Sequence, residues 1–210
     1  MPELRDGPNN VTLYEQSPIR VMHLLKNPTP PKPNESKPNE SFAGLIQQLV
    51  DRANLGSNFM RRLAERSYGL RNGFADWQTT KGQDDVTLGR ALLATAIVNL
   101  AKDVFSSSAS PEQVQQWAKQ NRAHWHGQVQ RWQPDVIVCG GTCDQVWRAL
   151  NEPQWQRAST GMGYFFDSAP KGAVYLDAPH PSVRWPASMV HTYLMVSARE
   201  VLGTCGSIQP

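Results

Sequence analysis

The chain has 210 residues, 40% of them hydrophobic and 19% charged, with a formal net charge of +3. That length can bury a substantial core, and the composition excludes a disordered or collagen-like chain. The longest mainly apolar run, Ala91 to Val98, is far below the ~20 residues that span a bilayer. The first six residues, Met1 to Asp6, carry no apolar core of secretory type, and three cysteines (Cys139, Cys143, Cys205) fit a reducing compartment, so a cytoplasmic location is expected. The mild positive charge permits a polyanionic partner without requiring one.

In chain order, residues 1–17 read as an irregular segment with a turn at Gly7-Pro8-Asn9-Asn10. Arg20 to Leu25, bounded by Pro18 and Pro28, reads as a buried strand. Asn27 to Ser41 holds a tandem repeat, Lys32-Pro-Asn-Glu-Ser36 and Lys37-Pro-Asn-Glu-Ser41, whose prolines exclude a helix or central strand and predict a surface loop. Phe42 to Val50 has helical spacing and a cap in Ser41, and another helical stretch covers 57–66. Asn72 to Asp85 reads as a polar loop, and Ala94 to Val98 as a strand ending at Asn99. Ser110-Pro-Glu-Gln113 opens a long helix that carries Val114, Trp117, Ala118, Trp125, Val129 and Trp132 on one stripe, best read as core, until Pro134 stops it. Asp135 to Val138 is a strand closed by Gly140-Gly141, followed by a short helix through Val146, Trp147 and Leu150. Ala173 to Leu176 is a fourth strand, and Pro186 to Leu202 a last helix.

Alternating, continuously apolar strands and helices predict an α/β fold, a three-layer α/β/α arrangement with a central, mainly parallel four-stranded sheet. One domain over 18–202 and a tail over 203–210 are expected. Ligands of such folds sit beyond the carboxyl ends of the strands, which here carry Asn27, Asn99, Gly140-Gly141 and His180. Asn27 before a proline reads as a turn residue or a directed carboxamide. Asn99 could cap a helix or read the edge of a base. His180, between Pro179 and Pro181, has little freedom. His124 and His126 lack convergent partners, so no metal site is assigned.

Jointly these segments resemble the uracil-DNA glycosylase superfamily over residues 18–202. Leu25-Lys-Asn-Pro-Thr29 is similar to the Gly-x-Asn-Pro-Gly motif of its single-strand-selective and mismatch-specific branches. Phe42 matches the aromatic that stacks on the extracted base, Asn99 the base-reading Asn, Pro134 to Gly140 the third core strand, and His180-Pro-Ser182 the catalytic loop. Leu25 and Thr29 replace the two glycines, and Val183-Arg-Trp185 departs from the commonest sequence after the catalytic loop. With three cysteines, the iron–sulfur branch is not expected.

The resemblance implies a monomeric DNA glycosylase without a cofactor. It would flip out a non-canonical or C5-modified pyrimidine and hydrolyse its N-glycosidic bond. Asn27 would orient the water and His180 would stabilise the departing base, while Phe42, Asn99 and Thr29 bind it. Ser182, Arg184, Trp185, Gly140 and Gly141 would contact DNA. Thr29, smaller than the Tyr of the uracil-specific branch, would leave the pocket open at C5, with the repeat loop as a lid. Base-excision repair and defence against phage with modified bases both fit. Lys26 is assigned to the opposite face by strand alternation, which implies a monofunctional enzyme leaving an abasic site. A catalytically silent nucleic-acid-binding domain and a nucleoside or small-molecule N-glycoside hydrolase remain alternatives.

Overall fold

The apolar residues of 21–25, 96–99, 136–140 and 173–178 decide how the chain is layered. A computed structural model describes residues 6–26, 42–101, 109–151, 153–154, 156–157, 164–168 and 173–204. In chain order the elements are β1 (Gly7–Pro8), α1 (Val11–Glu15), β2 (Val21–Leu25), α2 (Phe42–Asp51), α3 (Asn58–Arg71), α4 (Trp77–Lys81), α5 (Asp85–Leu93), β3 (Ala96–Asn99), α6 (Pro111–Gln120), α7 (Arg122–Trp132), β4 (Val136–Gly140), α8 (Cys143–Ala149), β5 (Gln156–Arg157), β6 (Tyr164–Ser168), β7 (Ala173–Ala178) and α9 (Ala187–Thr204).

The fold is α/β. The sheet order is β1-β3-β2-β4-β7-β6-β5. The four strands expected from sequence lie side by side and run parallel, with Leu25 opposite Asn99, His23 opposite Val138 and Val138 opposite Leu176. The expected four-stranded sheet is corrected to a seven-stranded mixed one, because β1, β6 and β5 add antiparallel partners at its two sides. These strands were hard to see: β1 and β5 have two residues each, too short for a period to show.

Because side chains alternate across a strand, the core splits cleanly. Met22, Leu24, Ala96, Val98, Ile137, Cys139 and Tyr175 point to one face and pack against α6, α7 and α8 through Val114, Trp117, Trp125, Val129 and Val146. Val21, Val136, Val138, Val174 and Leu176 point to the other, against Leu70 of α3 and Leu194, Met195 and Ala198 of α9. Leu25 and Ile97 continue that second face under α2, α3 and α5. α3 and α9 approach closely at Gly69, where a Cβ would lie 2.6 Å from both His191 and Met195.

Three further expectations change. Residues 6–17 are not irregular: β1 pairs with β3, and Asn10 caps α1 by accepting from the Leu13 amide. The polar loop of 72–85 contains α4 and leads into α5, each started by an aspartate that accepts the amide three residues on, Asp76 from Thr79 and Asp84 from Thr87. Those aspartates are the N-cap signal that marks both helices in the sequence. The tryptophan-bearing helix is two helices, broken at Asn121, whose Nδ2 donates to the Leu100 carbonyl at 2.8 Å. The repeat loop of 27–41 and the Ser41 cap lie outside the described residues. No described helix is long and apolar enough to cross a membrane.

Candidate functional site

The carboxyl ends of β4 and β7 meet at Gly140-Gly141. Gly141 has φ +67 and donates its N–H to Ala178 O at 2.7 Å, fastening the two strand ends. A Cβ there would lie 3.1 Å from His180 Cβ, and one on Gly140 would lie 2.8 Å from Leu25 Cδ2 and 3.4 Å from Pro181 Cδ. The paired glycines therefore make room for the His180-Pro181 loop to fold over the sheet edge. The Gly141 N–H is engaged within the protein, by Ala178 O and Cys139 O.

His180 projects from this crowded edge in a defined state. The Ser182 amide donates to its Nδ1 at 3.3 Å, and Ser182 Oγ lies 2.7 Å from the same nitrogen. An Nδ1 that accepts an N–H carries no proton, so the neutral ring bears its hydrogen on Nε2. Burial lowers the imidazole pKa to about 4, with help from the positive charges of Lys26 and Arg66. The ring is neutral at physiological pH and has one N–H to offer. Phe59 of α3 lies against it, with ring centroids 5.7 Å apart and planes tilted by 32°.

The loop after His180 is tied to α3. Arg66, 3% exposed, donates to Pro179 O at 2.9 Å. Arg62 donates to Pro181 O at 3.1 Å, to Val183 O, and to Trp185 O at 3.2 Å. Burial lowers the Arg66 pKa to about 10, which leaves it cationic at neutral pH. Ser182 and Arg184 are exposed, and Trp185 is 51% exposed rather than packed on α9. Met189, in the first turn of α9, is 46% exposed and is a second exposed apolar side chain that the sequence reading did not single out.

Two strands away stands Asn99, 2% exposed, at the end of β3. Leu100 and Ala101 donate to the carbonyls of Leu25 and Lys26 and so hold the ends of β3 and β2 together. The ends of β3 and β4 flank β2 and lie roughly 10 Å apart at ordinary strand spacing. The Asn99 amide donates to Asp6 Oδ1 at 3.3 Å, and Asp6 also pairs with His124 at 3.1 Å. Asp6 was missed because a lone carboxylate near the N-terminus carries no pattern. Phe59, Arg62 and Arg66 were missed as well, although their helical spacing puts all three on one side of α3.

Lys26 overturns its expected placement. Its Cε lies 3.5 Å from the point where a Gly141 Cβ would stand, the same point that is 3.1 Å from His180 Cβ. The strand ends at Leu25, so alternation no longer governs Lys26, and its side chain reaches across β4 toward His180. Asn27 and Thr29 lie outside the described residues. Phe42 opens α2, with its side chain likewise outside the description. Among the described residues no group of three or more His, Cys, Asp or Glu is arranged to hold a metal ion.

No protein-family model matches this chain, and no curated protein matches it significantly. The functional reading therefore rests on the residues themselves.

Proposed function

We propose that this chain is a DNA glycosylase that extracts a non-canonical or C5-modified pyrimidine and hydrolyses its N-glycosidic bond. The observation that carries the reading is the state of His180: a neutral imidazole at the strand ends whose Nδ1 accepts from the Ser182 amide, which places its hydrogen on Nε2. Cleaving an N-glycosidic bond builds positive charge on the sugar and negative charge on the base. A preorganised N–H donor at the oxygen of the departing base would stabilise that anion without reorganising in the transition state. Lys26 and Arg66, which depress the His180 pKa, add a positive field in which an anion forms more easily.

The other roles follow the resemblance to the uracil-DNA glycosylase superfamily. Asn27 orients the attacking water, Phe42 stacks on the everted base, and Asn99 bonds its edge. Four parallel strands with helices against both faces support the superfamily's three-layer architecture as the finer fold class. The exposed Trp185 suits the gap left by the flipped nucleotide, and Arg184 a neighbouring phosphate. Thr29 in place of a Tyr leaves room at C5, so a bulky modified pyrimidine is the preferred substrate, met either in repair or in phage DNA.

The test is incubation with oligonucleotides carrying uracil, a thymine mismatch or C5-modified cytosines, followed by alkali and separation of the strands. Alkali-labile sites should form with the wild-type chain and be lost in His180→Gln. Retention of cleavage by that variant, or no cleavage of any substrate by the wild type, rejects the reading.

A further inference from the structure

The loop bearing His180 presents four backbone carbonyls, of Pro179, Pro181, Val183 and Trp185, to two guanidinium groups of α3, and all four accept from them. Arg62 and Arg66 stand four residues apart, hence on one side of the helix, and Phe59 a turn earlier presses on the imidazole. We infer that Arg62 and Arg66 are positioning residues that strap the His180 loop to α3 and hold the Nε2–H in its reactive direction, rather than ligands for DNA phosphate.

The inference rests on the glycosylase reading and adds to it. By composition, arginines beside a DNA-facing loop would pass for phosphate ligands. Arg62 is already directed inward, with its planar fork spread over three carbonyls. Arg66 is buried and bonded to one carbonyl. Among the described residues the charges that act on His180 are Lys26, at the end of β2, and Arg66 of α3, both of which lower its pKa, while Arg62 is bonded to the carbonyls of its loop.

The two arginines predict different tolerance to lysine. An ammonium can replace a single carbonyl bond but not a fork across three. Arg66→Lys should therefore keep most of the base-release rate, while Arg62→Lys should lose about 100-fold in kcat, the scale of a 1 Å misplacement of a reacting group. KM and the slope of log affinity for DNA against log salt should be unchanged in both. Arg184→Gln, by contrast, should reduce that slope by about one phosphate contact. Circular dichroism and thermal melting establish that each variant is folded; Arg62, at the surface edge of α3, keeps the test available if Arg66 variants fail. Full activity in Arg62→Lys, or a reduced salt slope in it, overturns the strap. If the wild type releases no base from any oligonucleotide, the glycosylase reading fails by itself. The strap is then read from the His180 Cε1–H resonance, which should shift and broaden in Arg62→Gln, and an unchanged resonance rejects it.

Discussion

The two faces of the sheet are built from different materials. The face under α6, α7 and α8 is packing: Tyr14, Trp117, Trp125, Val129, Ile137 and Tyr175 are buried in one cluster. Its thiols belong to that core: the hydrogen bond that Cys143 donates to Cys139, together with burial, pushes the Cys143 pKa well up, away from the reactive thiolate. The face under α3 and α9 buries His23, Glu65, Arg66, Ser67 and His191, and ends at Asn99. Buried polar groups cost stability unless each finds a partner. Here many do: His23 Nε2–H donates to Ser67 Oγ, whose own hydroxyl donates to Leu63 O, while Arg66 holds Pro179 O. Both faces carry apolar packing, and the one under α3 and α9 gives up part of its stabilisation to hold polar groups beside the His180 edge.

Trp125→Ala should break the first half of that statement most severely. The ring is fully buried and its Nε1 donates to Ala118 O at 2.8 Å, so truncation should cost about 3–5 kcal/mol in urea unfolding. Base release per folded molecule should stay near wild type, and a selective loss of chemistry would contradict the division of labour. On the other face, His180→Gln should leave the melting temperature nearly unchanged and remove about 2.7–4 kcal/mol of transition-state stabilisation, measured as kcat on the wild type's best substrate. Gly141→Ala tests the junction between the two. It puts a Cβ at positive φ and 3.1 Å from His180 Cβ, so it should cost about 1–2 kcal/mol of stability and lower kcat as well, since His180 must move.

The last effect lies in pH. His23 is fully buried and its pKa falls from 6.5 to about 3, chiefly through burial and secondarily through the charge of Arg66. A folded-state pKa below the unfolded one means that the unfolded chain binds the extra proton first. The contribution to stability is complete above pH 6.5 and is lost as pH falls toward 3. His23→Leu should flatten the fall of unfolding free energy over that window, followed by urea titration at several pH values. His180 obeys the same sign, with its loss approaching completion near pH 4. Protonating its Nδ1 would also set it against the Ser182 amide, so base release should show its acidic limb near pH 4 instead of at the ordinary histidine value.

Much of this frame was legible before any coordinates. Val21–Leu25, Ala96–Asn99, Val136–Gly140 and Ala173–Ala178 are short apolar runs closed by Asn, Gly or Pro, and such runs announce buried parallel strands. His180 was visible because two prolines confine it. Asn121 was not readable as a break, because the apolar stripe continues from Trp117 to Trp125 across it, and only the Leu100 carbonyl it caps gives the turn a reason. Lys26 was misplaced because strand alternation was carried one residue beyond the end of β2. Arg62 and Arg66 were not singled out, since nothing local reveals that a loop more than a hundred residues later presents its carbonyls to them.

By itself, then, the sequence determined the α/β class, the order of the four central strands along the chain and the residues that stand at their ends, because hydrophobic period and chain-breaking residues act over a few neighbours. The tertiary structure alone decided the antiparallel additions to the sheet, the arrival of Lys26 beside His180, and the tautomer that leaves Nε2 as the donor. The β1–β3 pairing and the approach of Lys26 depend on contacts between segments far apart in the chain, and the β6–β7 pairing and the His180–Ser182 contact on a backbone course that residue types do not announce; nor does any local pattern encode which carbonyl a distant guanidinium will find.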